Sequence, residues 1–309
     1  MVNSLSLSLP EYADGIHLCL EELLPYQQHA IKWLPPAKSL WSQLLGHHQS
    51  RQLGRGMDFA EVRQYQPGDD IQAMDWRVTA RTGKPHTKLF CEEREKPVIL
   101  YVDLSTSMQF GSTLLFKSVL AAHLASLLSW LAVAQHDRIG AIIDLGFQQF
   151  ELKPTARHKG ALQIMANLVN GQQQALSQIT QTPTSMREGL LALNRLCPKG
   201  SEVVLISDFV RYHDELTPLF SQLSQRNQVR MVHIIDPLEQ GETDFRGIAR
   251  VKNEQQTRWL NFSANNTRLG IKKSFESQKV KLKSLSQSQA MDYRSLLCDR
   301  PLLQQLSGL

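Results

Sequence analysis

One short unbroken apolar run and three that are nearly so constrain this chain more than anything else in it. They fall at residues 98–102, 138–144, 202–206 and 229–235. Runs of this length suit strands buried on both faces, and such strands belong to parallel sheets with helices on either side. Between them lie stretches of helical period. Residues 114–134 form a long apolar stretch, 159–169 a second, and Met186, Leu190, Leu193 and Cys197 fall on one helical face before Pro198 and Gly200. Strand–helix alternation of this kind predicts an α/β fold, a doubly wound and mostly parallel sheet. Gly146 turns the chain into Phe150-Glu151-Leu152, an antiparallel neighbour.

The first run ends at Asp103-Leu104-Ser105-Thr106-Ser107, where a strand gives way to a helix. Open α/β sheets bind ligands outside the carboxyl ends of their strands. In extended backbone, residues two apart point the same way. The spacing therefore aims one carboxylate and two hydroxyls into one cavity, a hard-oxygen environment that suits Mg²⁺. Asp103 and Ser105 also suit capping of the next helix. Asp208 follows the third run, and Thr184 with Ser185 opens the helix that carries Gly189-Leu190, with Glu188 at capping-box spacing.

Composition narrows the class. A hydrophobic share of 42% and a charged share of 20% are those of a globular chain. The net charge of +5 permits an acidic partner without arguing for nucleic acid, which calls for a concentrated basic stripe. Cys19, Cys91, Cys197 and Cys298 are scattered without a C-x-x-C pair, as in a reduced, cytoplasmic protein. No secretory signal is visible, and 118–134 reads as a buried helix, not as a membrane segment.

The sequence divides into two parts. Residues 1–95 form an N-terminal helical arm, broken at Pro25 and Pro35-Pro36, followed by a Gly/Arg/Asp-rich module; residues 96–309 form the α/β domain with a C-terminal extension. In the module, Pro67-Gly68-Asp69-Asp70 is a turn. Asp69, Asp70 and Asp75 read as caps and partners of Arg63, Arg77 and Arg81, or as a second metal or acid–base cluster, and Trp76 is expected to be buried against the main domain. His47-His48 has no partner at ligand spacing, and His123 and His136 read as packed or surface residues. Late in the chain, a hairpin is expected around Asn253-Glu254, a lysine-rich helix over 264–285, a Ser/Gln-rich linker over 284–289, a strand at 293–297 and a terminal helix at 301–306.

The ordered set Asp103, Ser105, Ser107, Thr184 and Asp208 resembles the metal-ion-dependent adhesion site (MIDAS) of von Willebrand factor A domains. That resemblance implies that the serines and the threonine bind Mg²⁺ or another divalent cation directly or through water. The aspartates would act mainly through water, leaving one position open for a partner's carboxylate. The third loop here reads Ser-Asp-Phe where many members have Thr-Asp-Gly. Gly54-x-Gly56-x-x-Phe59, Arg63-x-Tyr65-x-Pro67-Gly68-Asp69-Asp70, Asp75-Trp76, Ala80-Arg81, Glu92-Glu93 and Phe110-Gly111 resemble the bacterial family called domain of unknown function 58, departing from it at Gln72-Ala73. The match runs over about residues 46–237.

This resemblance implies work beside a MoxR-type AAA+ ATPase, in chaperone-like assembly or activation of other proteins. The resulting expectation is a metal-dependent protein-binding adaptor and not an enzyme. The alternative is a metal-dependent hydrolase using the same oxygen cage, although no H-E-x-x-H, G-x-S-x-G or phosphate-loop motif is present. A third reading, nucleic-acid binding, rests on the late lysines alone.

Overall fold

The computed structural model describes residues 9–32, 53–54, 58–67, 69–91, 96–178, 185–242, 245–252 and 257–307. The chain separates into two compact units, one of residues 47–95 and one of everything else.

The smaller unit is an antiparallel sheet of β1 (Leu53–Gly54), β2 (Asp58–Gln64) and β3 (His86–Cys91), with β3 in the middle. A two-turn helix, Trp76–Thr82, fills the connection from β2 to β3. Asp75 caps it by accepting from the amides of Arg77 and Val78 at 3.0 and 3.1 Å. Gly83 ends it at φ 68°, the left-handed value that glycine reaches without a steric cost. Asp69 takes Arg63 at 2.7 Å and Asp70 takes the Gln72 amide at 3.0 Å, so these carboxylates serve turns and caps. Asp75 also lies 3.8 Å from Lys88. The expected burial of Trp76 does not hold: its side chain is 64% exposed. An indole is apolar enough to suggest burial, but its helix turns this position outward.

In the larger unit, six strands form one sheet. They are β4 (Val98–Asp103), β5 (Ile139–Asp144), β6 (Gln149–Thr155), β7 (Glu202–Ser207), β8 (Gln228–Ile235) and, after a hairpin of β9 (Ile248–Lys252) and β10 (Thr257–Asn261), β11 (Asp292–Leu297). The order is β11-β8-β7-β4-β5-β6, parallel throughout except for β6. β4, β5 and β7 are buried at every position, which is why they read as unbroken apolar runs. Alternate residues serve two cores. Val98, Leu100 and Val102 face the helices Lys117–Ala134 and Arg157–Ser177, while Ile99 and Tyr101 face Arg187–Leu196, Thr217–Arg226 and Asn265–Ser288.

The helix Lys117–Ala134 is, among the described residues, the one long and apolar enough to cross a membrane, and 89% of it is buried inside the fold. The N-terminal arm covers it. Leu18, Leu23, Tyr26 and Ala30 share its core, Glu22 meets His123 at 3.2 Å, and Ser126 donates to the Leu23 carbonyl at 2.9 Å. The arm therefore belongs with residues 96–309, which corrects the division at residue 95: its apolar face needs the central helix to cover it.

Two glycines of the sequence motifs mark close approaches. A Cβ on Gly111 would stand 2.1 Å from the Leu115 carbonyl oxygen, and one on Gly189 would stand 2.6 Å from the Tyr101 ring. Helix limits also differ from the sequence reading. The long helix begins at Lys117, the next runs from Arg157 to Ser177, and Asn265–Ser288 absorbs the stretch expected to be a linker, because Leu285 and Ser286 are buried there.

Candidate functional site

In the order β11-β8-β7-β4-β5-β6, the chain builds outward from β4 in one direction through β5 and β6, then in the other through β7, β8 and β11. The reversal lies between β4 and β7, where the crevice of a doubly wound sheet opens. Asp103 is the last residue of β4, and Asp208 follows the last residue of β7. Sheet topology thus brings together residues more than a hundred positions apart.

Asp103 is fully buried. Its Oδ1 accepts from the Ser105 amide at 2.9 Å and from Arg211 at 2.8 Å; its Oδ2 accepts from the Ser207 hydroxyl at 2.7 Å. The same Arg211 nitrogen reaches Asp144 at 2.9 Å, and Tyr101 donates to Asp144 at 2.6 Å. Asp144 stands beside Asp103 in register at the end of β5. Burial, opposed by Arg211 and aided by Asp208 and Asp144, holds the Asp103 carboxyl above its ordinary range.

Asp208 is held differently. Lys117 donates to it at 2.8 Å and to Glu239 at 2.5 Å, and the Val210 amide donates to it at 3.1 Å. Burial alone would raise the Asp208 pKa, but the Lys117 ammonium pulls it below the ordinary value. Lys117 is itself pushed up by these carboxylates against the opposing effect of burial. It stands in the first turn of its helix, where the dipole disfavours a cation, so the two carboxylates must overcome that as well. Burial raises Glu239, with Lys117 opposing.

The Ser-Asp-Phe loop keeps a left-handed residue without a glycine. Phe209 adopts φ 53° with its ring buried 6.0 Å from His233. Its amide donates to the Ser207 hydroxyl at 2.9 Å, its carbonyl accepts from Gln278 at 3.1 Å, and ring packing offsets the cost of that conformation.

Ser105 is buried and Ser107 half-buried at the mouth of the crevice, their hydroxyl oxygens 3.4 Å apart. Ser107 also bonds Asp208. Thr184 lies outside the described residues, as does His47-His48. Ser185 accepts from the Arg187 amide at 3.2 Å, but the helix N-cap is Met186 and the capping box expected of Ser185 and Glu188 does not form.

Among the described residues no group of three or more His, Cys, Asp or Glu has the arrangement of a metal cage. The groups gathered here are hard oxygen donors. Two serine hydroxyls lie 3.4 Å apart, and among the described residues four carboxylates (Asp103, Asp144, Asp208, Glu239) share two buried cations, Lys117 and Arg211. A carboxylate has about four acceptor positions. On Asp103 they take the Ser105 amide, Arg211, the Ser207 hydroxyl and the Ser105 side chain.

Asp144, Lys117, Arg211 and Glu239 were not among the residues singled out from sequence. Asp144 had a signal, because it ends the strand that pairs with β4. Lys117 had a weaker one, as a lone charge opening an apolar helix. Arg211 and Glu239 lie in loops and carry none.

Strand order, switch-point crevice and hydroxyl–carboxylate loop define a doubly wound α/β domain with an oxygen-rich site between its first and fourth central-sheet strands. The chain belongs to the family described as protein of unknown function DUF58, whose model matches residues 61–281. It is 30% identical over 198 residues to the uncharacterized protein Rv1480 of Mycobacterium tuberculosis; the match covers 63% of this chain and 60% of that relative's length. Among solved structures, a conserved hypothetical protein, BatB from Bacteroides thetaiotaomicron, is similar at 14% identity with a TM-score of 0.45, over 69% of this chain and 94% of that one. A von Willebrand factor type A protein from Catenulispora acidiphila is similar at 14% identity with a TM-score of 0.32, over 74% of this chain and 52% of that one.

Proposed function

We propose that this chain is a protein-interaction module that docks its partner at the β4–β7 crevice with a divalent cation, Mg²⁺ by preference. The observation that supports it is the pair of serine hydroxyls at the crevice mouth, backed by aspartates that buried cations fix in place. Ser105 and Ser107 would ligate the ion, with Thr184 from the neighbouring loop. Asp103 and Asp208 would act through water. Bound there, the ion supplies a Lewis-acid position for a carboxylate of the partner. The chain's own residues do the rest. Arg211 and Ser207 hold Asp103 in a single orientation, Lys117 keeps Asp208 anionic, and the buried Phe209 ring pins the third loop.

The partner we propose is a MoxR-type AAA+ ATPase or its client, in the cytoplasm, with this chain acting as an adaptor and not as a catalyst. We read the hydroxyls as ligands and not as nucleophiles: among the described residues the carboxylates beside them are ion-paired with Arg211 and Lys117, and His123 is buried against Glu22. The test is affinity for the purified ATPase in Mg²⁺ and in EDTA, for wild type and for Ser105→Ala with Ser107→Ala. Binding only by wild type in Mg²⁺ supports the proposal; equal affinity in all four measurements removes the crevice as the docking point.

A further inference from the structure

The smaller unit carries a surface that the crevice does not use. Trp76 and Ile71 are both 64% exposed, within one short stretch. Arg77 and Arg81 are exposed one helical turn apart and make no ion pair among the described residues. With Val78 and Ala80 they line a shallow open concavity. Like charges four residues apart weaken a helix, so the pair costs stability where it stands. Of the carboxylates nearest in sequence, Asp69 is taken by Arg63 and Asp70 by the Gln72 amide, while Asp75 caps the helix N-terminus and also feels the Arg77 charge.

The platform is firmly held. Asp75 and Gly83 cap the helix at its two ends. The Asp75 amide donates to the His86 carbonyl at 2.9 Å, the His86 amide donates to Thr79 at 3.0 Å, and Met74 bridges Thr87. An exposed indole on the same helix as two exposed guanidiniums that make no ion pair among the described residues has the composition of an interface hot spot.

We infer that this helix is a second docking surface, and that it takes an acidic segment of a partner protein carrying an apolar side chain next to its carboxylates. Guanidinium forks match carboxylates in a bidentate way, and Trp76 with Ile71 supplies the apolar anchor. Nucleic acid suits the patch less well. Two arginines are too few for a phosphate track.

The experiment uses the full chain and three fluorescent probes: a peptide of alternating Glu and Leu, its Lys and Leu counterpart, and a single-stranded oligonucleotide. Binding is measured for wild type, Trp76→Ala, and Arg77→Glu with Arg81→Glu, with the fold of each checked by circular dichroism. The acidic peptide alone should bind wild type. Its affinity should fall about tenfold or more in the arginine variant and in Trp76→Ala, with salt dependence surviving only in the latter. If either variant is misfolded, the other decides the result. Equal binding of the acidic peptide by wild type and a folded variant overturns the inference. So does binding of the oligonucleotide in its place. A crevice that fails to bind metal leaves this result untouched, because the probes need no divalent ion.

Discussion

Phe209 shows how one residue can depart from a pattern and keep its geometry. At φ 53° a phenylalanine is strained by about 1–2 kcal/mol relative to a right-handed residue. Its buried ring is worth more, since phenylalanine truncation in a core costs about 3–5 kcal/mol. Phe209→Gly should therefore destabilise by about 1–4 kcal/mol even though glycine prefers this backbone, and urea unfolding measures the loss. A neutral or stabilising result would mean that the ring contributes nothing. A second residue sets a pH dependence. Burial takes His233 down to about 4, only partly opposed by the charge of Asp208, and Tyr293 meets its ring at 2.7 Å. A histidine depressed in the folded state is neutral there while the unfolded chain binds the proton. Its contribution is complete above about pH 6.5 and is lost as pH falls toward about 4, to a total of about 3 kcal/mol. Unfolding free energies of wild type and His233→Phe over that window should diverge, with the variant showing the shallower slope. Legibility at this scale followed chemistry. Asp103, Ser105 and Ser107 were readable because three oxygen-bearing residues sit at spacing two after an apolar run. Arg211 was not, because only sheet topology brings it to Asp103.

The strands of the larger sheet were legible because burial on both faces favours apolar side chains along their middles, and β4, β5 and β7 show that directly, with charged or hydroxyl residues at their ends. Polar stretches misled. The helix Asn265–Ser288 continues through Ser284 and Gln287 because only Leu282, Leu285 and Ser286 of its last turns are buried, a stripe too thin to show in the sequence. Trp76 misled in the opposite sense, since aromatic composition suggests a core that its two-turn helix does not provide. One contact ties elements together across the crevice. Lys117 opens the central helix, Asp208 ends the β7 segment, and Glu239 follows β8. Lys117→Met would leave two carboxylates in the interior without their cation, a break that costs about 3–5 kcal/mol. Chemical denaturation should show that loss. A change under about 1 kcal/mol would place the ammonium in solvent, with its carboxylates hydrated.

At the scale of the whole molecule, an α/β unit closed by its own N-terminal arm carries the crevice, and a small antiparallel unit carries the arginine–tryptophan helix. The fold class could be read in the sequence; the grouping of the arm could not, because it depends on Leu18, Leu23 and Tyr26 meeting a helix about a hundred residues away. The central claim is that two serine hydroxyls at the switch point hold a divalent ion. Isothermal titration of Mg²⁺ into the full chain tests it most directly, with the Ser105→Ala, Ser107→Ala variant alongside and both proteins confirmed folded. The predicted result is saturable binding by wild type that the variant has lost. No binding heat at any titration temperature from folded wild type, or the same isotherm from the variant, would contradict the claim.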